Sequence, residues 1–360
     1  MENYISGIGI SAGSLMMKWV DIDKHIHNNA INIQPGDNVN VFINLECVLK
    51  NLTMQKGLME LINFHKQKIV IELESAILNL MANYRAYFRK ERCNVKVYFY
   101  FTDLSGEDQQ MRIYNKYYRS FYHNRYMENP QFKQMGELLN NIIIPEIKLI
   151  LLYVQGCYFI SSSTFDGSVI PYIISTFSDS KNIIVSGDVF DTLYLFNPNF
   201  ATLYIKRRFK YFNVCSDIDS TVQSIVKDQS PFDLTIFNSE MYYRLLLSIK
   251  GSKIRNIRSA KGFGYGKFIT LLKNGIQQDI VLRDFESIDS IIQLFPEQYR
   301  NDIKAAFSCT SIDTQYQLLS DTDIDNIKSQ IIDKVDIESL EALNNKRFLE
   351  FPINLQSLLN

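Results

Sequence analysis

Carboxylates and carboxamides gather where the apolar runs of this 360-residue chain end. Asn44 and Glu46 stand at the end of NVNVFINL, Asp103 follows VKVYFYF, Asp166 lies in a loop before a helix-patterned run, and Asp188 and Asp191 close NIIVSGDVFD. Acids at the ends of several strands can converge across one sheet and bind Mg²⁺. Hard cations take oxygen ligands, and a metal pair clamps the attacking and leaving oxygens of a phosphodiester. The competing use of the same residues is structural, since Asp and Asn at strand ends cap helices and solvate loops.

The elements that must position them follow from pattern. NVNVFINL (38–45), VKVYFYF (95–101), IKLILLYV (147–154) and NIIVSGD (182–188) read as strands, mostly apolar rather than alternating, which suits strands buried on both faces. Helical spacing runs over 46–65, 72–92 and 168–177, the last with Pro171 in its first turn. Strand, helix, strand predicts an α/β protein with a mainly parallel sheet flanked by helices. LYLFN (193–197) and ATLYIK (201–206), parted by Pro198 and Asn199, predict a hairpin at the sheet edge. The second half is mainly helical, and no internal repeat is found.

Two stretches could hold a phosphate backbone. SIKGSKIRNIRSAKGFGYGKFITLLKN (248–274) carries Lys253, Arg255, Arg258, Lys261, Lys267 and Lys273, with Gly262, Gly264 and Gly266 opening a helix and no acid. Glycine allows close backbone approach, and a helix N-terminus offers unpaired N–H groups to an anion. A solvated basic helix pair would have the same composition. MRIYNKYYRSFYHNRYM (111–127) interleaves Arg112, Lys116, Arg119 and Arg125 with five tyrosines. Cations for phosphates and rings for bases suit a single strand, while tyrosines at three- and four-residue spacing equally describe the buried face of a helix.

Taken in order, these segments resemble the 5'-nuclease superfamily of flap endonucleases and phage 5'-3' exonucleases. That family has a PIN-like sheet and a helix-three-turn-helix reading G-D-x-S-D-N-I-P-G-V-x-G-I-G-x-K. The resemblance rests on VFINLECVLKNL, VYFYFTD, IIVSGDVFDTLYL and GSKIRNIRSAKGFGYGK, spanning about 38–275. It implies a metal site built from Asp103, Asp166 and Asp188 and using Mg²⁺ or Mn²⁺, if the chain is active. It implies Asp103, Asp188 and Asp191 as the catalytic acids, in vestigial or weak form. It also implies an arch at 104–135 with Lys116, Arg119 and Arg125 on the strand, and a DNA backbone held by Lys253, Arg258, Lys261, Gly262, Gly264 and Lys267. DNA is implied in preference to RNA.

The departures from the family pattern decide the functional expectation. Its first Asp falls on Asn44, its helix-proximal acids fall on Phe165 to Ser168, its second S-G-D-x-D acid falls on Phe190, and its hairpin acids become Ser252 and Arg255. Too few oxygens remain for two dications, and an arginine at a ligand position can pair with a carboxylate instead of a metal. The expectation is a catalytically impaired homologue, without a bound metal, acting as a nucleic-acid-binding or assembly factor. The alternatives are an active metal-dependent 5'-3' exonuclease or flap endonuclease, and a purely structural subunit of a virion or replication complex.

The domain reading is an arm at 1–38, a core at 39–206, a helical region with the helix-three-turn-helix at 207–275, and an acidic helical region at 276–360. Protein partners are expected on the arm and on the acidic helices. Region 276–360 holds 15 Asp+Glu against 7 Lys+Arg, leaving 31 basic and 24 acidic residues before it, so the formal charge of −1 sums unlike parts. Five dispersed cysteines favour reduced thiols over a disulfide frame. No signal-peptide pattern or membrane-length apolar run is present. The expected location is therefore cytoplasmic, in a host or a virion if the abundant Ile, Asn and Lys reflect a viral genome. His25 and His27 beside Asp21 and Asp23 fit a polar loop better than a metal site. The sequence Asp321-x-Asp323-x-Asp325 lacks the turn glycine and the closing Glu of a calcium loop.

Overall fold

In a computed structural model of the chain the described residues are 33–53, 66–103, 134, 137–152, 154–186, 188–204, 239–251, 257, 260, 262–264, 266–268, 270, 271, 274 and 287–332. Among them, five strands form one sheet: β1 (Asn38–Asn44), β2 (Asn94–Thr102), β3 (Cys157–Ser162), β4 (Lys181–Ser186) and β5 (Phe200–Tyr204). The spatial order is β3-β2-β1-β4-β5 and every pairing is parallel. The chain builds outward from β1 on one side through β2 and β3, then crosses to the other side for β4 and β5. The order therefore reverses between β1 and β4, the position where open α/β sheets form a crevice beyond their strand ends.

Alternation along β1 sorts side chains to the two faces. Val39, Val41 and Ile43 join a core with Val97, Phe99, Ile183 and Val185, covered by α1 (Leu45–Thr53), α2 (Lys66–Lys90) and α3 (Ile144–Leu151). In α2 the buried Leu73, Ile77, Met81, Tyr84 and Phe88 recur at helical spacing, which is why this 25-residue segment lies along the sheet. It ends in a Schellman turn: Arg92 takes φ 61°, and the Cys93 N–H reaches back to the Phe88 carbonyl at 2.9 Å.

Phe42 points to the opposite face, where Phe42, Tyr98 and Tyr158 stand in register on β1, β2 and β3. Their rings stack at centroid distances of 5.1 and 4.9 Å, and such pairs contribute about 0.5–1.5 kcal/mol each beyond area burial. This face is covered by α4 (Ile170–Ser175), a 3-10 helix (Val189–Phe196), α5 (Ser239–Lys250), α6 (Ile288–Ile292), α7 (Glu297–Ser308), α8 (Ile312–Gln317) and α9 (Asp321–Ser329). Tyr242, Phe268, Ile303 and Ile327 share one apolar cluster with Phe42 and Ile184, so the C-terminal helices complete the core of the sheet.

The fold class is the expected one, a parallel α/β sheet flanked by helices, with a helical C-terminal region. Two local expectations are corrected. The segment 147–154 is not a strand: 144–151 is helix α3, with Pro145 in its first turn and Ile144, Ile147, Ile150 and Leu151 buried while Leu149 is exposed. Its aliphatic composition suits either element, and only the three- and four-residue spacing separates them. The strand comes later, at CYFISS, after a turn at Gly156 with φ +70°. The hairpin at 193–206 is also absent: LYLF belongs to the 3-10 helix, which carries the chain across so that β5 pairs parallel to β4. A parallel neighbour needs a crossover of this kind rather than a tight turn.

Of the described cysteines, Cys93, Cys157 and Cys309 are buried, Cys47 is half-buried, and none is bridged. Among the described residues no helix is long and apolar enough to cross a membrane. Asp321 to Asp325 open α9, where Ser320 and Asp323 form a capping box, so this acid run caps a helix.

Candidate functional site

The site lies at the reversal point of the sheet. Asn44 closes β1 and is aligned with Tyr100 on β2. Ser186 closes β4, one residue past the aligned pair Ile43 and Val185. Three adjacent strands thus present Tyr100, Asn44 and Ser186 in one row, and Asp191, in the 3-10 helix that follows β4, folds back over it. Asp191 Oδ2 accepts from Asn44 Nδ2 at 2.6 Å, from the Tyr100 hydroxyl at 2.9 Å and from the Ser186 hydroxyl.

Asp191 is 0% exposed, and Asn44, Tyr100 and Ser186 are buried with it. A buried carboxylate is costly unless its charge is met by donors, and each hydrogen bond to a charged group contributes about 1.5–3 kcal/mol. Here three neutral side chains from three strands supply those donors. Asn44 uses both ends of its amide: Oδ1 accepts the Cys47 N–H at 3.1 Å, capping α1, while Nδ2 serves Asp191. An aspartate could make the first bond and not the second. Burial, and next the Asp191 charge, push the Tyr100 phenol well above its ordinary pKa, which keeps it a donor.

Two of the other strand-end acids accept from local backbone. Asp166 is buried and accepts the Ser168 N–H at 2.9 Å, and Asp188 accepts the Phe190 N–H at 2.9 Å, each capping a 3-10 turn. Asp103 is half-buried at the end of β2, its N–H donating to the Ser162 carbonyl at 2.8 Å. Glu46 lies in the first turn of α1. Phe165 and Phe190, at positions where the family pattern has acids, are both core residues. Between them Gly167 presses on β2: its N–H donates to Thr102 Oγ1 at 2.8 Å, and a Cβ there would come within 2.8 Å of the Phe101 backbone.

The described residues do not fit a metal. Asp191 accepts from three neutral side chains, the Asn44 oxygen caps α1, and Phe165 and Phe190 are in the core. Among the described residues no group of three or more His, Cys, Asp or Glu could share an ion.

In the basic segment, α5 stops at Gly251 (φ +62°), whose N–H donates to Leu247 at 2.8 Å. Gly262 turns the chain with φ +81°, Phe263 and Phe268 anchor it in the core, and residues 266–268 are helical. Lys267 is exposed, with Nζ donating to the Gly262 carbonyl at 2.6 Å. Gly264 and Gly266 have normal φ, and a Cβ on either would meet only open space. Neither backbone strain nor packing asks for glycine there.

Ser252, Lys253, Arg255, Arg258 and Lys261 lie outside the described residues. So do Lys116, Arg119 and Arg125 with nearly all of the 104–135 arch, and all but the last residues of the 1–38 arm. The sequence reading missed Tyr100 and Ser186. The available signal was alternation, since Asn40 and Asn44 share a face of β1, and partners for a buried amide had to come from the same face of β2 and β4.

No family model and no curated protein matches the chain. Among solved structures it is similar to a pseudo-enzyme form of the bacteriophage T5 flap endonuclease in complex with product DNA and metal ions. The identity is 11%, the TM-score 0.40, and the match covers 84% of this chain and 99% of that one.

Proposed function

We propose that this chain is a catalytically impaired relative of the 5'-nucleases that binds nucleic acid, DNA in preference to RNA, as a binding or assembly factor. The observation that carries the loss of catalysis is the 2.6 Å contact from Asn44 to Asp191. An amide donor occupies the place where the family pattern has a carboxylate, and three neutral side chains donate to the neighbouring acid.

Support for binding comes from Gly264 and Gly266, glycines that the fold does not require, at the start of a helix beside Lys267. Bare backbone at a helix start, flanked by the basic run of 253–273, suits a phosphate backbone held without sequence readout. The acidic C-terminal region and the N-terminal arm are the parts proposed to meet protein partners.

The test is fluorescence anisotropy of the full chain with labelled 5'-flap DNA and its RNA counterpart over a salt series, followed by cleavage assays with Mn²⁺. The reading expects binding whose logarithm falls linearly with log salt, with a slope of about −0.9 for each phosphate contact on duplex, and no cleavage. Metal-dependent cleavage abolished by Asp103→Ala overturns the impairment. Absence of binding at low salt overturns the nucleic-acid role in favour of a structural subunit.

A further inference from the structure

Asn40 and Asn182 are aligned across the β1–β4 pairing, and both are buried, at 1% and 3% exposure. Asn40 Nδ2 donates to Asn182 Oδ1 and to Ser178 Oγ, each at 3.0 Å. Asn182 Nδ2 in turn donates to the Ser180 carbonyl at 3.0 Å and the Asn199 carbonyl at 3.2 Å. The amide pair thus ties β1 to the residues through which the chain enters β4 and β5. Four residues further along each strand, on the same face by alternation, stand Asn44 and Ser186, which both donate to Asp191.

The two asparagines are 142 residues apart, so no tight turn fixes how their strands align. A one-residue slip would turn the apolar set to the wrong face. A two-residue slip would not: Val39 would then lie opposite Ile183 and Val41 opposite Val185, aliphatic against aliphatic as before. The amides distinguish these registers. After such a slip Asn40 would face Ile184 and the two buried amides would lose their mutual bond, a costly state for polar groups away from water. The same slip would carry Ser186 and Asp191 about 6.5 Å along Asn44, while Asn44 keeps its alignment with Tyr100 on β2.

We propose that Asn40 and Asn182 are positioning residues for the candidate site: their buried amide pair sets β4 against β1 so that Asn44 and Asp191 meet. A satisfied polar pair specifies one arrangement among several that apolar packing accepts. The positioning is independent of the nucleic-acid reading.

The test compares wild type, Asn40→Leu/Asn182→Leu and the control Phe42→Leu/Ile184→Val, the next aligned pair on the same face, by ¹⁵N NMR of the full chain and by denaturant midpoints. The Asn44 side-chain amide is assigned by its loss in Asn44→Asp. Removing both amides leaves neither unpaired, so the asparagine double variant is expected to fold and to show a second set of β1 and β4 resonances. In that set the Asn44 side-chain protons lose the slow exchange that the bond to Asp191 gives them. The control is expected to unfold at lower denaturant with a single set of resonances. Three outcomes overturn the proposal. One is an asparagine double variant with a single set and an intact Asn44–Asp191 bond, which places the register elsewhere. Another is a control that also splits, which marks a loosened core. The last is an asparagine double variant that does not fold while the control does, which makes the pair a stability element rather than a selector of register.

Discussion

Asn44 and Asp191 are 147 residues apart in the chain and meet through a 2.6 Å hydrogen bond at the point where the sheet reverses its strand order. Replacing Asn44 with Ala leaves Asp191 short of a donor and α1 without its cap. The expected loss is about 2–4 kcal/mol from a charged hydrogen bond and a helix cap together, read from denaturant midpoints.

Asn44→Asp sets a second carboxylate against Asp191. Burial and the like charge raise the new group's folded pKa above its unfolded value near 4. A raised acid favours the protonated form in the folded state. The penalty of the substitution should therefore be small below about pH 4 and grow as pH rises through the folded pKa. Stability curves of wild type and variant between pH 3 and 8 that run parallel would contradict this.

Tyr100 and Tyr172 both resist ionisation, Tyr100 through burial and Asp191, Tyr172 through burial and Asp313, the latter pushed up to about 12. Their contribution to stability is complete below the unfolded tyrosine value of about 10 and is lost as pH rises from there through the folded values. Tyr100→Phe and Tyr172→Phe should each flatten the alkaline fall in stability, measured as the difference from wild type between pH 8 and 12.

Gly167 and the Gly264/Gly266 pair separate packing from function. Gly167→Ala drives a Cβ into the Phe101 backbone and should cost about 1–3 kcal/mol. Gly264→Ala and Gly266→Ala meet open space and should leave stability unchanged or slightly raised. If the bare backbone binds phosphate, the same two variants weaken DNA binding in anisotropy titrations.

Cys157 opens β3 and is buried, and desolvation pushes its thiol up to about 11 despite nearby Arg85 and Arg89. In the folded protein it should react with thiol reagents far more slowly than after denaturation, a contrast readable by peptide mass spectrometry.

Much of this fold is legible locally. β1 and β2 follow from β-rich runs with turn residues at their ends, and α2 follows from apolar residues repeating every three or four positions. Segments that failed lacked a distinguishing local signal. IKLILLYV is apolar enough for either element, and Pro145 settles as a helix start only once α3 packs on the sheet. Phe200 to Tyr204 reads as a strand, but its partner and direction depend on the crossover through Val189–Phe196.

The sequence by itself determined the α/β class of the protein and which residues end its strands, because apolar periodicity and residue identity are properties of the chain alone. Only the tertiary structure decided what those strand-end residues do. Tyr100, Asn44 and Ser186 come from three separate parts of the chain and share a row only because β2, β1 and β4 pair in parallel with one register. Asp191 turns onto that row through a 3-10 turn capped by Asp188. A hydrogen bond needs its atoms within about 3 Å, a condition set by strand register and crossover geometry that no spacing along the chain encodes.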